Sequence, residues 1–248
     1  MPDNKQNERH PLDKVGGDYH LFDNLDRPKP GQRQLLVKSL VAGLNPVEGF
    51  QLGGILVDSW PMVLGCDASG IIVEIGDEFL MDSHLSFKEP ENISREEAAT
   101  IGVGVLTAGL ALFGGLKLSL DDKADNSEWI VILGTTGAVG QHAVQVKGIA
   151  SITNGNFVRH FDASAMAGEL GMQALADHGA KDKTKYFATT NDWEPVKARD
   201  EIEIDMVALG LIGKSGTAEA EMVNSAIEGF IPKLEELFKA GGLRPMKY

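Results

Sequence analysis

The clearest pattern of apolar and polar positions lies in the middle of the chain. Ile130–Leu133 is a short, unbroken apolar run, which is typical of a parallel strand buried on both faces. Three glycines then follow at intervals of three, at Gly134, Gly137 and Gly140. After them, the apolar positions fit one side of a helix, at Val139, Ala143, Val144 and Val146. The pattern predicts a strand, a tight turn and a helix, in that order.

That order gives the glycine turn a chemical meaning. In a strand–turn–helix unit, backbone N–H groups and the positive end of the helix dipole face the space beyond the strand, where a diphosphate binds. We therefore predict a dinucleotide-binding site made of the turn residues Gly134, Thr135, Thr136, Gly137, Ala138, Val139 and Gly140. The alternative is a tight strand–helix turn that binds no ligand.

The identity of the dinucleotide depends on an acidic residue. The usual glycine-rich fingerprint is followed, about 20 positions later, by an acid that holds the ribose 2′-hydroxyl. Here that count reaches Ser151–Asn156, where no apolar strand ends in Asp or Glu, and the nearest carboxylate is Asp162. The missing acid favours NADPH, which carries a 2′-phosphate, and NADH is the alternative.

Outside this central unit the pattern changes from one end of the chain to the other. The first third alternates short apolar runs with proline and glycine turns, with strands predicted at Leu35–Lys38 and Ile71–Gly76. It therefore predicts a small β-rich domain. After residue 150 the pattern predicts a helix within Ala163–Asp177, and further strands only at Lys185–Thr189 and Ile202–Leu211.

Composition and charge narrow the class of partner. The chain has 248 residues, a net charge of −13 and a pI near 4.9, which disfavours nucleic acid and anionic membranes because both require a basic face. A single cysteine, Cys66, excludes an intrachain disulfide framework and a cysteine-rich zinc site. The polar segment Met1–Arg9 has no signal-peptide pattern, so a cytoplasmic location is expected.

One uncharged stretch, Ala98–Leu116, is long enough to suggest a membrane span. Its five glycines and acidic N-terminal flank favour a buried helix that packs against another domain or subunit. On this reading the apolar stretch is compatible with a homodimer.

The order of residues in several segments resembles the medium-chain dehydrogenase/reductase family. The likeness to the catalytic domain of that family lies in Pro30–Lys38, Leu44–Val47 and Val63–Gly76. The likeness to its cofactor domain lies in Pro90–Thr100, Gly104–Ala108 and the glycine turn. It is greatest to zinc-independent members, namely quinone-reductase-like proteins and fungal trans-acting enoyl reductases; the latter also resemble the C-terminal segments Val207–Gly213 and Ile231–Leu237.

The resemblance implies an α/β protein with two domains. A GroES-like, β-rich catalytic domain would occupy residues 11–90, and a Rossmann-like dinucleotide-binding domain would occupy residues 91–248. Both are expected to be incomplete. After Phe79 the strands that close the family's catalytic barrel are missing, and after Ala150 too little chain remains for six strands with their crossovers.

The resemblance also implies an activity. The family members transfer a hydride from a nicotinamide cofactor to a small-molecule substrate with an activated C=C bond, enoyl or quinone-like. Asn45 would lie near the nicotinamide and the substrate carbonyl, and Thr107 would lie beside the cofactor. From the residues alone, Asn45 could equally cap the turn before Pro46, and Thr107 could bond within its own helix. The alternative function is a catalytically inactive remnant that at most binds nucleotide.

No metal site is expected. In zinc-dependent alcohol dehydrogenases a metal-binding histidine stands where this chain has Cys66. The six histidines of the chain show no ligand-like spacing, so Cys66 is expected to be a small buried thiol. Gly213–Ser215 resembles the end of a phosphate-binding P-loop, but Ala208 stands where that motif needs glycine, which favours a surface loop.

Overall fold

The computed structural model describes residues 11–12, 14–18, 26–31, 34–57, 59–75, 85–120, 129–147 and 157–245. The chain divides into two compact units: the first comprises Met1–Ser83 and Ile93–Gly102, and the second comprises His84–Asn92 and Val103–Tyr248. Near residue 90 the chain therefore passes from the first unit into the second at His84, back into the first at Ile93, and into the second again at Val103. The domain boundary expected at that residue stays a prediction.

The first unit is β-rich, as predicted. Its elements in chain order are β1 (Pro11–Leu12), β2 (Leu35–Gly43), α1 (Pro46–Leu52), β3 (Met62–Val63), β4 (Asp67–Ile75) and α2 (Arg95–Ala98). β1 pairs with β3 and β2 pairs with β4, both antiparallel. The β2 and β4 backbones approach closely at Gly70, where a Cβ atom would lie 2.2 Å from the Lys38 carbonyl oxygen.

The apolar side chains at the end of β4 are not covered. The exposed residues are Ile71, Ile72, Val73 and Ile75. A two-stranded sheet is marginal alone and needs further strands or a helix on its apolar face. The β2–β4 pair has only two strands in the described part of the chain, which agrees with an abridged β-rich domain.

From residue 102 onward the chain alternates helices and strands. The elements are α3 (Gly102–Gly109), a π-helical segment (Leu110–Gly115), β5 (Trp129–Leu133), α4 (Ala138–Lys147), β6 (Phe157–Asp162), α5 (Gly168–His178), β7 (Lys185–Thr189), β8 (Ile202–Met206), a 3₁₀ turn (Leu209–Leu211) and α6 (Ala218–Lys239). The predicted strand–turn–helix unit is confirmed as β5 and α4.

The four strands β5 to β8 form one parallel sheet in the order β5-β6-β7-β8. The first three of these parallel strands are joined by helices, and together with the β-rich first unit they confirm the predicted α/β class and a Rossmann-like sheet.

Strand β6 is a correction to the sequence analysis, which expected only a polar stretch and a helix between Ser151 and Ala180. Arg159 and His160 interrupt its apolar pattern, yet both are accommodated by packing. The Arg159 Nε donates to the Leu116 carbonyl at 2.8 Å, and the His160 ring lies against Phe187. The predicted last strand is also shorter than expected and ends at Met206.

The core of the second unit lies between the sheet and α5. Its fully buried side chains include Met172, Leu175 and Phe187. α5 approaches the sheet at Gly171, where a Cβ atom would lie 2.7 Å from His160 Nε2. A small residue at this position is therefore required by the close packing.

The apolar stretch that suggested a membrane span is buried inside the chain. The π-helical segment packs on β7 and β8 at Gly115, where a Cβ atom would lie 3.0 Å from that of Ala188, and Phe113 contacts Phe230 of α6. Within the described residues, every helix is too short or too polar to cross a bilayer. Because the chain itself covers this stretch, it gives no support to a homodimer.

Candidate functional site

The glycine turn begins directly at the end of β5. Gly134 has a φ of +77°, a conformation that favours glycine. A Cβ atom on Gly140 would lie 2.3 Å from the Gly134 carbonyl oxygen, so the first turn of α4 can approach the strand end only with glycine there. The Gly137 N–H donates to the Gly134 carbonyl at 3.1 Å and closes the turn.

The outer side of this turn is open. Thr135, Thr136 and Gly137 are exposed, and a Cβ atom on Gly137 would meet only the Gly134 carbonyl, at 3.5 Å. α4 begins at Ala138, and the first N–H groups of a helix have no partner within the helix. An accessible backbone at the N-terminus of a ten-residue helix fits a diphosphate.

The loop after β6 forms a wall beside the turn. A Cβ atom on Gly134 would lie 2.9 Å from the Ser164 nitrogen and 3.0 Å from the Ser164 Cβ. The glycine turn and the β6–α5 loop are therefore in direct contact, and any change in the loop would be felt at the turn.

Asp162 holds that loop in place. Its side chain is fully buried. Oδ1 accepts hydrogen bonds from the Ser164 N–H at 3.0 Å and the Ser164 hydroxyl at 2.5 Å. Oδ2 accepts from the Ala167 N–H at 3.0 Å and the Thr189 hydroxyl at 3.3 Å.

This arrangement bears on the acid that was expected to bind the ribose 2′-hydroxyl and was not found in the sequence. A strand of the sheet does end in a carboxylate, contrary to the sequence analysis, and it lies next to β5. Its oxygens, however, are turned inward onto the loop and Thr189, so they are not presented to a ribose. The Asp-Ala-Ser sequence is a signal for such a turn, because Asp often accepts from the backbone N–H two residues on.

A second polar group lies at the end of β7, and the sequence analysis did not single it out. Thr189, Thr190 and Asn191 are all buried. The Thr190 N–H donates to the Asp162 carbonyl at 3.1 Å, and the Asn191 N–H donates to the Thr189 hydroxyl at 3.1 Å. The carboxyl ends of β6 and β7 thus share one hydrogen-bonded network beside the glycine turn.

In the first unit, Asn45 belongs to a cluster with two buried carboxylates. The Asn45 side-chain Nδ2 donates to Asp67 Oδ2 at 2.8 Å. Glu48 accepts the Asn45 backbone N–H at 2.5 Å and the Cys66 backbone N–H at 3.2 Å, one on each carboxylate oxygen. Because an ionised carboxylate only accepts, Asp67 requires the amide NH₂ group of Asn45 to face it.

No family model matches the chain. The chain is 28% identical over 192 residues to a zinc-type alcohol dehydrogenase-like protein of Staphylococcus epidermidis, covering 66% of this chain and 56% of that protein. It is 31% identical over 172 residues to a trans-enoyl reductase of Gibberella fujikuroi, covering 55% of this chain and 48% of that protein. The chain thus spans about half the length of the curated relatives it matches.

The solved structures agree in fold. The CurK enoyl reductase superposes with a TM-score of 0.75 at 18% identity, over 97% of this chain and 90% of that one. A quinone oxidoreductase of Pseudomonas syringae superposes with a TM-score of 0.67 at 16% identity, over 96% and 90% of the two chains. The chain is related to the medium-chain dehydrogenase/reductases.

Cys66 occupies the position where the resemblance to zinc-dependent alcohol dehydrogenases would place a metal-binding histidine. The expectation of a buried residue is wrong, because Cys66 is exposed. Partial desolvation of the thiol and the nearby carboxylates of Glu48 and Asp67 raise its pKa to about 12, so it is neutral near pH 7. No group of three or more His, Cys, Asp or Glu side chains within the described ranges is placed to hold a metal ion.

Thr107 and the P-loop-like segment Gly213–Ser215 both make hydrogen bonds to other residues of the chain. The Thr107 hydroxyl is buried and donates to the Val103 carbonyl at 2.7 Å, which is the helix-internal bond considered as its alternative role. Gly213 and Lys214 form a loop tied to Asn224, whose side chain accepts from the Gly213 N–H at 2.9 Å and donates to the Lys214 carbonyl at 2.7 Å. This loop follows a 3₁₀ turn and not a strand.

Proposed function

We propose that this protein is an NADPH-dependent, zinc-independent oxidoreductase of the medium-chain reductase type. It would transfer a hydride to the activated C=C bond of a small enoyl or quinone-like substrate. The trans-enoyl reductases and the quinone oxidoreductase among its relatives support this reaction class. The observation that carries the proposal is the open glycine turn between β5 and α4, where glycine is required at both ends.

Asp162 supports NADPH over NADH. An acid at the end of a neighbouring strand would bind a free ribose 2′-hydroxyl and repel a 2′-phosphate. The Asp162 carboxylate instead accepts hydrogen bonds on both oxygens from its own loop and from Thr189. The site therefore offers no acidic contact at this strand end that would select NADH.

Asn45 is the better supported of the two proposed catalytic residues. The bound nicotinamide supplies the hydride, and the protein positions the substrate and stabilises the developing charge. Asp67 uses one hydrogen of the Asn45 amide and fixes its orientation. The second hydrogen of this amide would donate to a substrate carbonyl oxygen. Thr107 was expected to donate a hydrogen bond beside the cofactor, but its buried hydroxyl donates to the Val103 carbonyl and would have to give up that bond to do so.

The chemistry of the Asn45 cluster supports a zinc-independent reaction. Both oxygens of Glu48 accept backbone N–H groups, and a thiol with a raised pKa is a poor source of the thiolate that zinc prefers. These groups stabilise the loop around Asn45 through the chain's own hydrogen bonds.

The alternative is a catalytically inactive remnant that at most binds nucleotide. It is favoured by the uncovered apolar side chains of β4. Both functions share the glycine turn. They differ in whether bound NADPH is oxidised by a substrate.

The deciding experiment is an equilibrium titration with NADPH and with NADH, using two variants at one position. Gly137→Asp places a negative charge on the open side of the turn without a backbone clash. It is expected to weaken NADPH binding by about 10- to 100-fold, because the carboxylate repels the diphosphate. The matched Gly137→Asn has nearly the same volume without the charge, and is expected to retain an affinity within about fivefold of the natural chain.

Three results separate the alternatives. Saturable NADPH binding followed by oxidation of NADPH with an enoyl thioester or a quinone supports the enzyme. Binding without turnover across both substrate classes supports the remnant. An absence of binding by a chain that unfolds cooperatively contradicts the nucleotide site itself.

A further inference from the structure

We infer that Asp67 is a positioning residue of the reductase reaction: it holds the Asn45 amide so that an N–H group, and not the amide oxygen, meets the substrate. This inference rests on the proposed function, because it concerns how Asn45 acts in that reaction. Asp67 is buried and acts only through Asn45. The contacts involved all lie within the first unit.

The orientation of an asparagine amide decides what it does to a reacting carbonyl. Its NH₂ group donates and its oxygen accepts, and the two ends have nearly the same shape. Turned one way, the Asn45 amide stabilises negative charge that develops on a substrate oxygen. Turned the other way, its oxygen repels that charge. A useful donor at this position therefore needs a neighbour that distinguishes the two ends.

Asp67 is such a neighbour. The Asn45 Nδ2 donates to Asp67 Oδ2 at 2.8 Å, and a hydrogen bond to an ionised acceptor is stronger than a neutral one. In the reversed orientation the amide oxygen would face the carboxylate, and because Asp67 is buried, this repulsion would be weakly screened by solvent. The second Nδ2 hydrogen has no acceptor among the described residues, and Asn45 is half-buried, so a substrate oxygen can reach it.

The Asp67 carboxylate is itself fixed by close packing. A Cβ atom on Gly102 would lie 1.8 Å from Asp67 Oδ1, so the carboxylate fills the space beside this glycine. Two residues further along β4, the Ser69 hydroxyl donates to the Arg95 carbonyl at 2.8 Å. This bond joins β4 to the start of α2. Asp67 therefore provides a fixed reference for the Asn45 side chain.

Glu48 fixes the backbone of Asn45, just as Asp67 fixes its side chain. One Glu48 oxygen accepts the Asn45 N–H at 2.5 Å, and the other accepts the Cys66 N–H at 3.2 Å. One buried carboxylate thus joins the residue before α1 to the residue before Asp67. A donor whose backbone and side chain are both held in place needs little reorganisation when charge develops on the substrate.

The test exchanges the two side chains. Asn45→Asp places two carboxylates opposite each other, and Asp67→Asn removes the charge that orients the amide. The double variant Asn45→Asp/Asp67→Asn again has one amide facing one carboxylate, but the amide now lies at the buried position. Exchange restores a purely structural hydrogen bond, whereas it does not restore an N–H group that faces the substrate.

The expected results separate kcat from stability. With an enoyl thioester or a quinone, Asp67→Asn is expected to lower kcat by about 10- to 100-fold and to change KM by less than about threefold. Asn45→Asp is expected to lower kcat by at least about 100-fold and to lower the urea midpoint. The double variant should regain at least about half of the lost midpoint, while its kcat stays at least about 100-fold below that of the natural chain.

Ser69→Ala is the matched control, since it removes a buried hydrogen bond of β4 without touching Asn45. It is expected to lower the urea midpoint and to keep kcat within about threefold of the natural chain. A loss of kcat as large as that of Asp67→Asn would show that stability, and not the orientation of the amide, limits the reaction.

The side-chain NH₂ signals of Asn45 in the NMR spectrum of the natural chain give a readout that needs neither a variant nor turnover. One hydrogen is expected to be shifted downfield and slow to exchange, and the other to exchange readily with solvent. Two equivalent, rapidly exchanging hydrogens would overturn the inference.

Two kinetic results would overturn the inference and leave the proposed function intact. One is a natural chain that turns over while Asp67→Asn keeps its kcat within about threefold, and the other is a double variant that regains kcat together with stability. A natural chain that oxidises NADPH with neither substrate class contradicts the proposed function, and the inference then fails with it.

Discussion

His160 shows how a single side chain is determined by its surroundings. Its ring is buried between Gly171 and Phe187, and neither ring nitrogen has a hydrogen-bond partner among the described residues. Burial disfavours the charged ring and lowers its pKa to about 4, although the negative charge of Asp162 acts in the opposite direction. His160 therefore stays neutral in the folded protein near pH 7.

This pKa predicts a dependence of stability on pH. The unfolded chain binds a proton at His160 near pH 6.5, whereas the folded chain binds it only near pH 4. The contribution to stability is therefore fully present above pH 6.5 and is lost as the pH falls from 6.5 to 4, by about 3 kcal/mol. His160→Leu removes the titrating group.

Urea unfolding of the natural chain and of His160→Leu, at several pH values between 4 and 7, checks this prediction. Other groups contribute to the pH dependence of both proteins, so the difference between them is the quantity to compare. Equal slopes in the two proteins would show that His160 does not titrate as described.

Asp162 carries a second prediction at the scale of one residue. Asp162→Asn replaces one acceptor oxygen by an NH₂ group, which then faces backbone N–H donors in a buried place. We expect the free energy of unfolding to fall by about 1–3 kcal/mol, and nucleotide affinity to fall with it because the loop packs on Gly134. Urea unfolding and an NADPH titration measure the two effects.

Ser164→Ala is the matched control for that variant. It removes the hydroxyl bond to Asp162 and the bond that the hydroxyl accepts from the Met166 N–H, and it leaves the Ser164 and Ala167 N–H bonds to Asp162 in place. A smaller loss of about 1 kcal/mol is therefore expected. If Asp162→Asn cost no more than Ser164→Ala, Asp162 would not be the anchor of the loop.

At the scale of elements, α5 illustrates how close packing restricts sequence. A Cβ atom on Gly171 would lie 2.7 Å from His160 Nε2 and 2.8 Å from Phe187 Cε2. Gly171→Ala is therefore expected to lower the free energy of unfolding by about 1–3 kcal/mol, because α5 must move away from the sheet.

Gly229 in α6 is the control for this substitution, since it is exposed and a Cβ atom there would meet nothing within 4 Å. Gly229→Ala is expected to raise the free energy of unfolding by up to about 1 kcal/mol through helix propensity. Thermal or urea unfolding measures the change in the free energy of unfolding for each variant. The two changes have opposite signs if α5 packs closely on the sheet at Gly171, and the same sign if helix propensity alone decides.

The elements differ in how far the sequence predicts them. β5 and α4 follow from an uninterrupted apolar run and a regular helical spacing. β6 does not, because Arg159 and His160 interrupt its pattern, and only their packing against Leu116 and Phe187 makes a buried strand of it. Likewise, the helix predicted within Ala163–Asp177 begins only at Gly168, because Asp162 uses the preceding residues to form a turn.

At the scale of the whole molecule, the chain combines family features with a shortened architecture. It is similar in sequence to a trans-enoyl reductase, and its second unit contains a four-stranded parallel sheet. The sheet nevertheless contains strands on only one side of β5 in the described part of the chain.

The glycine turn was determined by the sequence itself, because its requirements are local. A positive φ at Gly134 and the contact between Gly134 and Gly140 arise within seven residues, and only glycine satisfies both. The tertiary structure alone decided that β6 is a strand, that Asp162 faces inward and that Cys66 is exposed. Each of these depends on packing or solvent contact created by residues distant in sequence, and a local pattern contains no information about such neighbours.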